Sequence, residues 1–374
     1  MQHGNKTSVI IEPVIRHIEM DEKRSIMTIH CWASMYWEDE KLKWNPSSYG
    51  DMKEIHLADH EVWQPDVFPY NSATGSTIDH YGNTNLIAYF NGTVIWVPPS
   101  IFQVFCQMDF TNWPFDSQTC SLKIGSWTYN GEQVDLFNSN HMQTVYKLPN
   151  LVPNSEWEFV KMTVKRNSVY YPCCPIPYTD VTFELTIQRH SATYKALIIT
   201  PVSAVILMVL ASFWLPPTSG DKVTLGGAAV ITTCLFLLYF LEKMPAMAGN
   251  TPHIITFYSQ TLYLVSISVA IEVFIINLAK NPKLSPLPWI LKKNLIEGVG
   301  KCLLIKTSDN RNHFSRGEEM TDNQPVLSEQ GRHSNESNSN IYQKDWILFA
   351  TAIDRIFFII YICSFFIMAF IYLI

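Results

Sequence analysis

Two pairs of cysteines are spaced for thiol chemistry. In the first, read as CQMDFTNWPFDSQTC, thirteen residues separate Cys106 from Cys120. A disulfide there would close a short loop and stabilise the chain by about 3 kcal/mol on the chain-entropy view. Trp113-Pro114-Phe115-Asp116 within it would stiffen the tip into something able to press on a neighbouring surface. An ordinary disulfide hairpin of a secreted domain has the same spacing. In the second, Tyr170-Tyr171-Pro172-Cys173-Cys174-Pro175-Ile176-Pro177-Tyr178, the cysteines are adjacent. Such a pair can close a strained eight-membered ring and make a rigid turn; strained, exposed disulfides are the labile kind. Two independent thiols are the other reading. A third set is electrostatic. Asp221, Thr224, Ala228, Ile231, Leu235, Leu238 and Glu242 recur at steps of three or four, so they share one helical face with a carboxylate at each end. Bond-making chemistry has no comparable constellation: no Ser/His/Asp set, metal cluster or phosphate loop stands in a plausible motif, and the eleven histidines are scattered. The chain does not read as an enzyme, and no cofactor is implied.

The elements that must carry these residues differ between the two halves. The chain has 374 residues and a net charge of −6 without a dominant acidic or basic block, which gives no reason to expect nucleic acid as a partner. Residues 8–193 alternate apolar and polar, rich in Val, Ile, Thr, Tyr and Trp, with Asn-Gly and Pro-Pro turn signals at short intervals. That pattern predicts an all-β sandwich. Val9-Ile10-Ile11, residues 25–30, Val94-Ile95-Trp96-Val97 and residues 181–187 are its clearest strands. Of the eight cysteines, the two pairs lie in this half, which fits an oxidising compartment; Cys31, Cys234, Cys302 and Cys363 read as free thiols. Asn5 and Asn91 open glycosylation sequons that fit the same location, whereas Asn335 falls in a segment placed in the cytosol. Residues 1–10 lack the apolar stretch of a signal peptide, so a targeting signal would have been removed or left out.

Then the composition changes. Residues 195–215, about 222–242, about 253–278 and about 346–374 are apolar for the length a membrane helix requires. Pro201 sits inside the first, tolerable where neighbours satisfy the freed carbonyl. Four spans put both chain ends on one side, the outside. Between the third and fourth, Lys280, Lys283, Lys292, Lys293 and Lys301 mark a cytoplasmic loop. Its Ser/Asn-rich middle, residues 306–340, predicts disorder, and Ile341 to Asp354 a helix running into the last span. The expected domains are 1–193, a β-sandwich; 194–278, three spans; 279–344, the loop; and 345–374, the fourth span.

This layout, with the Cys106 loop and its Trp-Pro-Phe-Asp, resembles the Cys-loop receptors, the pentameric ligand-gated ion channels. Within them the chain is similar to nicotinic acetylcholine receptor subunits of the α type. The resemblance implies an acetylcholine-gated cation channel embedded in plasma-membrane lipid at a synapse, built with four further subunits. It implies disulfides Cys106–Cys120 and Cys173–Cys174, the second capping a flap over the agonist. A quaternary ammonium is recognised by the faces of electron-rich rings. Tyr70 in WQPDVFPYN, Trp127 in GSWTYNG, and Tyr171 and Tyr178 beside Cys173-Cys174 match the family's principal-face rings, and Trp32, Ile87, Ile95 and Val97 its complementary face. In five copies around an axis the stripe of the second span becomes a stack of rings. Asp221 and Glu242 would concentrate permeating cations, Ile231 and Leu235 would close the pore by dewetting, and Lys222 would point away from the axis. The family's coupling residues match Glu22, Phe115, Asp116, Lys123, Asp180, Arg189 and Pro245: Lys123 is shared between Asp180 and Tyr171, Glu22 pairs with Arg189, and Phe115 and Asp116 press on the Met244-Pro245 linker.

The chain also departs from the pattern. Ala228 and Ile231 stand where hydroxyl and Leu side chains are usual, Gly226-Gly227-Ala228-Ala229 is unusually small, and Glu272 puts a carboxylate inside the third span. Asn130 replaces an Asp, Pro69 interrupts the first agonist loop, and the usual N-terminal helix is absent. Three other readings stay open: a scaffold that answers a different ligand or serves as a non-binding partner, a membrane-anchored adhesion sandwich, and a second span that is merely buried and amphipathic.

Overall fold

The computed structural model describes residues 6–74, 81–139, 144–244, 251–280, 286–291 and 330–373, with side chains of the last helix from 342 to 372. Asn5, Pro245, Lys283, Lys292, Lys293, Lys301 and Cys302 lie outside the described residues, as does the side chain of Asn335. The chain divides into two units, residues 1–194 with 244–251, and residues 195–243 with 252–374.

The first unit is a two-sheet β-sandwich. Its strands are β1 (Thr7–Asp21), β2 (Ile26–Lys43), β3 (Glu54–Leu57), β4 (Val67–Pro69), β5 (Leu86–Tyr89), β6 (Asn91–Trp96), β7 (Pro99–Phe105), β8 (Ser117–Ser126), β9 (Val134–Phe137), β10 (Thr144–Val145), β11 (Trp157–Val169) and β12 (Tyr178–Arg189). One sheet runs β3-β5-β6-β2-β1-β9 with β7 also on β2; the other runs β10-β11-β12-β8-β4. All pairs are antiparallel except β1 with β9. Side chains alternate across a strand, so β12 sends Val181, Phe183, Leu185 and Ile187 inward and Thr182, Glu184 and Thr186 outward. β1 and β2 meet them with Val9, Ile11, Ile15, Met27, Ile29 and Met35, fully buried in one continuous core. Each such side chain contributes about 1.5–3 kcal/mol on burial. The Cys106–Cys120 disulfide joins the end of β7 to β8, and so ties one sheet to the other. Pro69 is taken into the sheet: it pairs with Ile124 as the last residue of β4, an edge strand, where a missing amide proton costs the sheet little.

The second unit contains α1 (Ala192–Ser212), α2 (Asp221–Lys243), α3 (His253–Lys280), the one-turn α4 (Trp289–Leu291) and α5 (Gln330–Leu373). Helices α1, α2 and α3 and the 342–372 part of α5 are long and apolar enough to cross a membrane. Val205, Val209, Phe213, Ala229, Val265, Tyr361 and Phe365 from all four form one buried cluster. Residues 330–340, expected to be disordered, are instead the first turns of α5. Helix propagation from an existing helix fixes one residue per hydrogen bond and escapes the nucleation cost, so a polar stretch can extend a stable span.

Candidate functional site

An open concavity of about 560 Å³ on the five-stranded sheet is lined by Tyr70, Asn71, Lys123, Trp127, Tyr171, Cys173 and Tyr178. Its floor is built by register. β4 pairs with β8 so that Phe68 opposes Gly125, and the chain then delivers Tyr70 beside Gly125. The Tyr70 amide donates to Lys123 O at 2.7 Å, and its hydroxyl donates to Ser126 O at 2.5 Å. Burial holds the Tyr70 phenol well above its ordinary pKa, so the ring stays neutral and its hydroxyl remains a donor.

Gly125 is what gives this ring its place. A Cβ at Gly125 would sit 2.2 Å from Tyr70 Cζ and 2.3 Å from its hydroxyl. Gly125→Ala must therefore displace the ring and its bond to Ser126. Overpacking of this kind costs about 1–3 kcal/mol. Thermal unfolding of the purified chain checks it; an unchanged midpoint would show that the ring has room to move.

Trp127 is held by its backbone while its side chain is left open. Its amide donates to Asp66 O at 3.1 Å. The Asp66 carboxylate accepts from Ser126 Oγ at 2.5 Å and from the Thr128 amide and hydroxyl at 2.6 and 2.5 Å. One carboxylate thus clamps both neighbours of Trp127, whose side chain is 67% exposed and stands edge-on to Tyr70 at 6.3 Å between centroids. Tyr171 and Tyr178 approach edge-on at 5.9 Å, on either side of the bonded Cys173–Cys174 pair. Asp66 was not singled out by the sequence, although it stands inside the quoted WQPDVFPYN; a carboxylate four residues before the ring was the available signal.

Lys123 brings the one cation of the lining. Its Nζ lies 3.4 Å from Asp180 Oδ1 and 5.8 Å from the centre of the Tyr70 ring. Asp180 is buried, and its other oxygen accepts from Asn167 Nδ2 and Thr182 Oγ1 at 2.7 and 2.9 Å. Lys123 therefore sits with the carboxylate here, with Tyr171 packed on Tyr178. Asn130 lies outside the lining; its side-chain oxygen accepts from the amides of Glu132 and Gln133 at 3.1 and 3.2 Å and shapes the turn before β9.

Trp32, Ile87 and Ile95 belong to the other sheet, Val97 follows its strand β6, and none of the four lines this concavity. Ile87 and Ile95 are register partners of β5 and β6, and Trp32 projects from β2 under the Arg16 guanidinium at 4.7 Å. One chain thus presents two separate aromatic and apolar surfaces, on opposite sheets. Asn91 is exposed at the turn into β6, with Oδ1 accepting from the Thr93 amide at 3.0 Å.

At the far end of β12, Arg189 collects carboxylates. Its Nε donates to Asp116 Oδ1 at 2.8 Å and its Nη1 to Glu22 and Glu156 at 2.5 and 3.0 Å, with Trp157 beneath at 4.2 Å. Burial pushes the Glu22 carboxyl above its ordinary range, against the opposing pull of Arg189. Asp116 is buried and also accepts from Gln118 Nε2 at 2.6 Å, whereas Phe115 next to it is exposed. Asp116 is thus held inward, where a buried guanidinium meets its charge; Pro245 of the linker it was expected to press on lies outside the described residues.

On α2, Asp221, Thr224, Ala228, Ile231, Leu235, Leu238 and Glu242 are all exposed, while Lys222, Gly226, Ala229, Thr233 and Phe240 turn inward. Lys222 Nζ donates to Asp354 Oδ2 of α5 at 2.6 Å, both fully buried. The stripe carries large apolar side chains in its middle, Ile231 at 63% and Leu235 at 59% exposure, and a carboxylate near each end.

The family model described as the neurotransmitter-gated ion-channel ligand binding domain matches residues 1–191, and that described as the neurotransmitter-gated ion-channel transmembrane region matches residues 198–341. The acetylcholine receptor subunit alpha-type acr-16 of Caenorhabditis elegans is 31% identical over 344 residues, 87% of this chain and 68% of its own. The neuronal acetylcholine receptor subunit alpha-10 of Rattus norvegicus is 33% identical over 83% of this chain and 67% of its own. The acetylcholine receptor subunit alpha-like 2 of Drosophila melanogaster is 33% identical over 77% of this chain and 51% of its own. The chain thus spans about half to two thirds of the length of these relatives.

Proposed function

The chain belongs to the neurotransmitter-gated ion-channel family, a family of channels and not of enzymes, and on that premise we propose that it is a subunit of an acetylcholine-gated, cation-selective channel. The observation that carries the reading is the lining formed by Tyr70, Trp127, Tyr171 and Tyr178 beside Cys173. A quaternary ammonium has no hydrogen to donate and gains about 0.5–2 kcal/mol from each aromatic face it desolvates. Four rings on one concavity suit such a ligand; the nearby Lys123 charge is held by Asp180 and so competes less with it. Trp32, Ile87, Ile95 and Val97 complete the cage from a neighbouring copy, because in this chain they lie on the opposite sheet or directly after its strand β6. Both faces in one sequence permit a homopentamer of this chain with four further copies, or a heteropentamer.

The exposed stripe of α2 supports the second half of the reading. A face turned to lipid gains nothing from Asp221, Thr224 and Glu242; a face turned to a water-filled axis does. Around five copies, Asp221 and Glu242 form the acidic rings that admit cations, and Ile231 and Leu235 the apolar constriction. Glu22, Phe115, Asp116, Lys123, Asp180, Arg189 and Pro245 carry the coupling between agonist and pore. The membrane is the plasma membrane of a postsynaptic cell, with the β-sandwich and Asn5 and Asn91 outside.

Voltage clamp on cells expressing the full chain behind an added signal sequence tests this. Pulses of acetylcholine are expected to evoke a current that ignores chloride replacement and follows the sodium and potassium gradients. Glu242→Lys is expected to cut that cation current at least severalfold. A current that follows the chloride gradient would overturn the pore assignment, and surface-expressed chain that stays silent to acetylcholine alone and with co-expressed α-type partners would overturn the ligand.

A further inference from the structure

The second unit holds a buried polar cluster that the proposed channel function leaves unused. Each of its four long helices contributes to it: Ser212 from α1, Lys222 and Gly226 from α2, Glu272 from α3 and Asp354 from α5. Ser212, Lys222 and Glu272 have no exposed surface and Asp354 almost none.

Lys222 is the single cation placed on a carboxylate there, and it is committed: its Nζ donates to Asp354 Oδ2 at 2.6 Å. The two opposite charges offset each other, and Asp354 Oδ1 is left without a hydrogen-bond partner among the described residues. Glu272 contacts Ser212 Oγ through Oε1, while its Oε2 has no hydrogen-bond partner among the described residues. Oε2 faces the backbone of Gly226: a Cβ there would stand 3.2 Å from Oε2 and 2.6 Å from Val269 Cγ2, so glycine at this position brings α2 and α3 together over the carboxyl. Two other charged or titratable side chains lie nearby, and the Nη1 of one, Arg355, is buried without a hydrogen-bond partner among the described residues. Arg355 stacks on Trp214 at 3.2 Å, and Tyr361, within electrostatic reach of Glu272, donates its hydroxyl to Leu264 O at 2.9 Å.

The Ser212 hydroxyl has one hydrogen. It has a partner one turn back, Val209 O at 2.7 Å. When that hydrogen goes to Val209, the contact between Ser212 Oγ and Glu272 Oε1 can be a hydrogen bond only if Glu272 supplies the proton. A protonated Glu272 also accounts for Oε2. A bare carboxylate oxygen buried without a donor is among the costliest arrangements in a protein interior, whereas the carbonyl oxygen of a neutral acid is far cheaper to leave unpaired.

We infer that Glu272 is a proton-binding site inside the helix bundle, a neutral carboxylic acid that donates to Ser212 and rests its carbonyl oxygen on Gly226. The bound proton lets α1, α2 and α3 meet at one point without a net buried charge. Because Gly226 lies on α2, on the side opposite the exposed stripe, proton occupancy at Glu272 acts on the helix that carries that stripe.

Infrared spectroscopy of the purified full chain in detergent, exchanged into D2O at neutral pH, tests this without any appeal to channel activity. A protonated carboxyl gives a C=O stretch well separated from carboxylate and amide bands. The expected result is such a band in the wild type, its loss in Glu272→Gln, and its shift to higher frequency in Ser212→Ala, where the acid loses its acceptor. Glu272→Gln is isosteric and neutral and is expected to leave the thermal midpoint unchanged. Were that variant not to fold, the Ser212→Ala shift decides alone. A spectrum without the band, or a band that survives Glu272→Gln and does not move in Ser212→Ala, would overturn the assignment.

Discussion

Arg189→Gln is expected to destabilise the β-sandwich by about 3–5 kcal/mol, the range for removing one partner of a buried ion pair. The reason lies in what it leaves behind. Asp116 is 2% exposed and takes two donations from the guanidinium, from Nε at 2.8 Å and Nη2 at 3.2 Å. Glu22 and Glu156 converge on Nη1 from other elements. Without the cation, three carboxylates face one another and the most buried keeps only the Gln118 amide. A domain whose whole stability is about 5–15 kcal/mol loses a large share of it. Surface expression and thermal unfolding of the detergent-solubilised chain read the loss. Arg189→Lys should recover part of it, since the charge returns without the planar fork that reaches two carboxylates at once. Arg189→Gln combined with Asp116→Asn should be less destabilised than Arg189→Gln alone, because the orphaned charge is gone. Equal stability of Arg189→Gln and wild type would show that the cluster is a surface ion-pair network worth little.

This cluster also marks what was legible in the sequence. The pairing of Glu22 with Arg189 was expected from the family resemblance, and the two residues meet. That Asp116 turns inward was not expected, because the side to which a loop residue points depends on packing such as that of Trp113 against Tyr194, which leaves no periodicity. The sandwich itself was readable, since alternation in segments such as residues 181–187 is a direct imprint of one buried face. So were the four apolar spans, whose lengths are dictated by the bilayer. The helical state of residues 330–340 was not, because composition reports what a segment does alone and not what an adjoining span imposes on it. The α2 face was readable as spacing, yet the partner of Lys222 was not: Asp354 lies 132 residues away and meets it through helix packing.

The same limit governs the proposed agonist site. Tyr70, Trp127, Tyr171 and Tyr178 stand in recognisable motifs, whereas their mutual geometry rests on Asp66 and Gly125, whose roles arise from register between strands some sixty residues apart. Asp66 and Gly125 act before any ligand arrives. A half-buried carboxylate and a missing side chain fix two rings, which lowers the ordering cost that a flexible cage would add to binding.

Trp127→Ala is expected to weaken binding of a quaternary amine by about 30-fold or more, a loss of at least ~2 kcal/mol typical of an aromatic hot spot, while leaving the fold almost untouched. The two halves of that expectation come from different observations. The ring is 67% exposed, and what fixes the residue is its backbone amide on Asp66 O and the grip of Asp66 on its neighbours. Truncating an exposed side chain changes stability by no more than about 0.5 kcal/mol. The binding loss arises because the ring stands edge-on to Tyr70 at 6.3 Å and turns toward the same concavity as Tyr171 and Tyr178. Equilibrium binding of a radiolabelled quaternary amine to membranes bearing the full chain measures the loss. A neutral carbon isostere of the same ligand separates shape from charge: if the ring acts through its negatively charged face, Trp127→Ala should reduce the preference for the cation over the isostere, and Trp127→Phe should fall between. Equal amine affinity in wild type and Trp127→Ala would remove the cation from this concavity, and with it the ligand assignment. Equal losses for cation and isostere would instead reduce Trp127 to a wall of the cage.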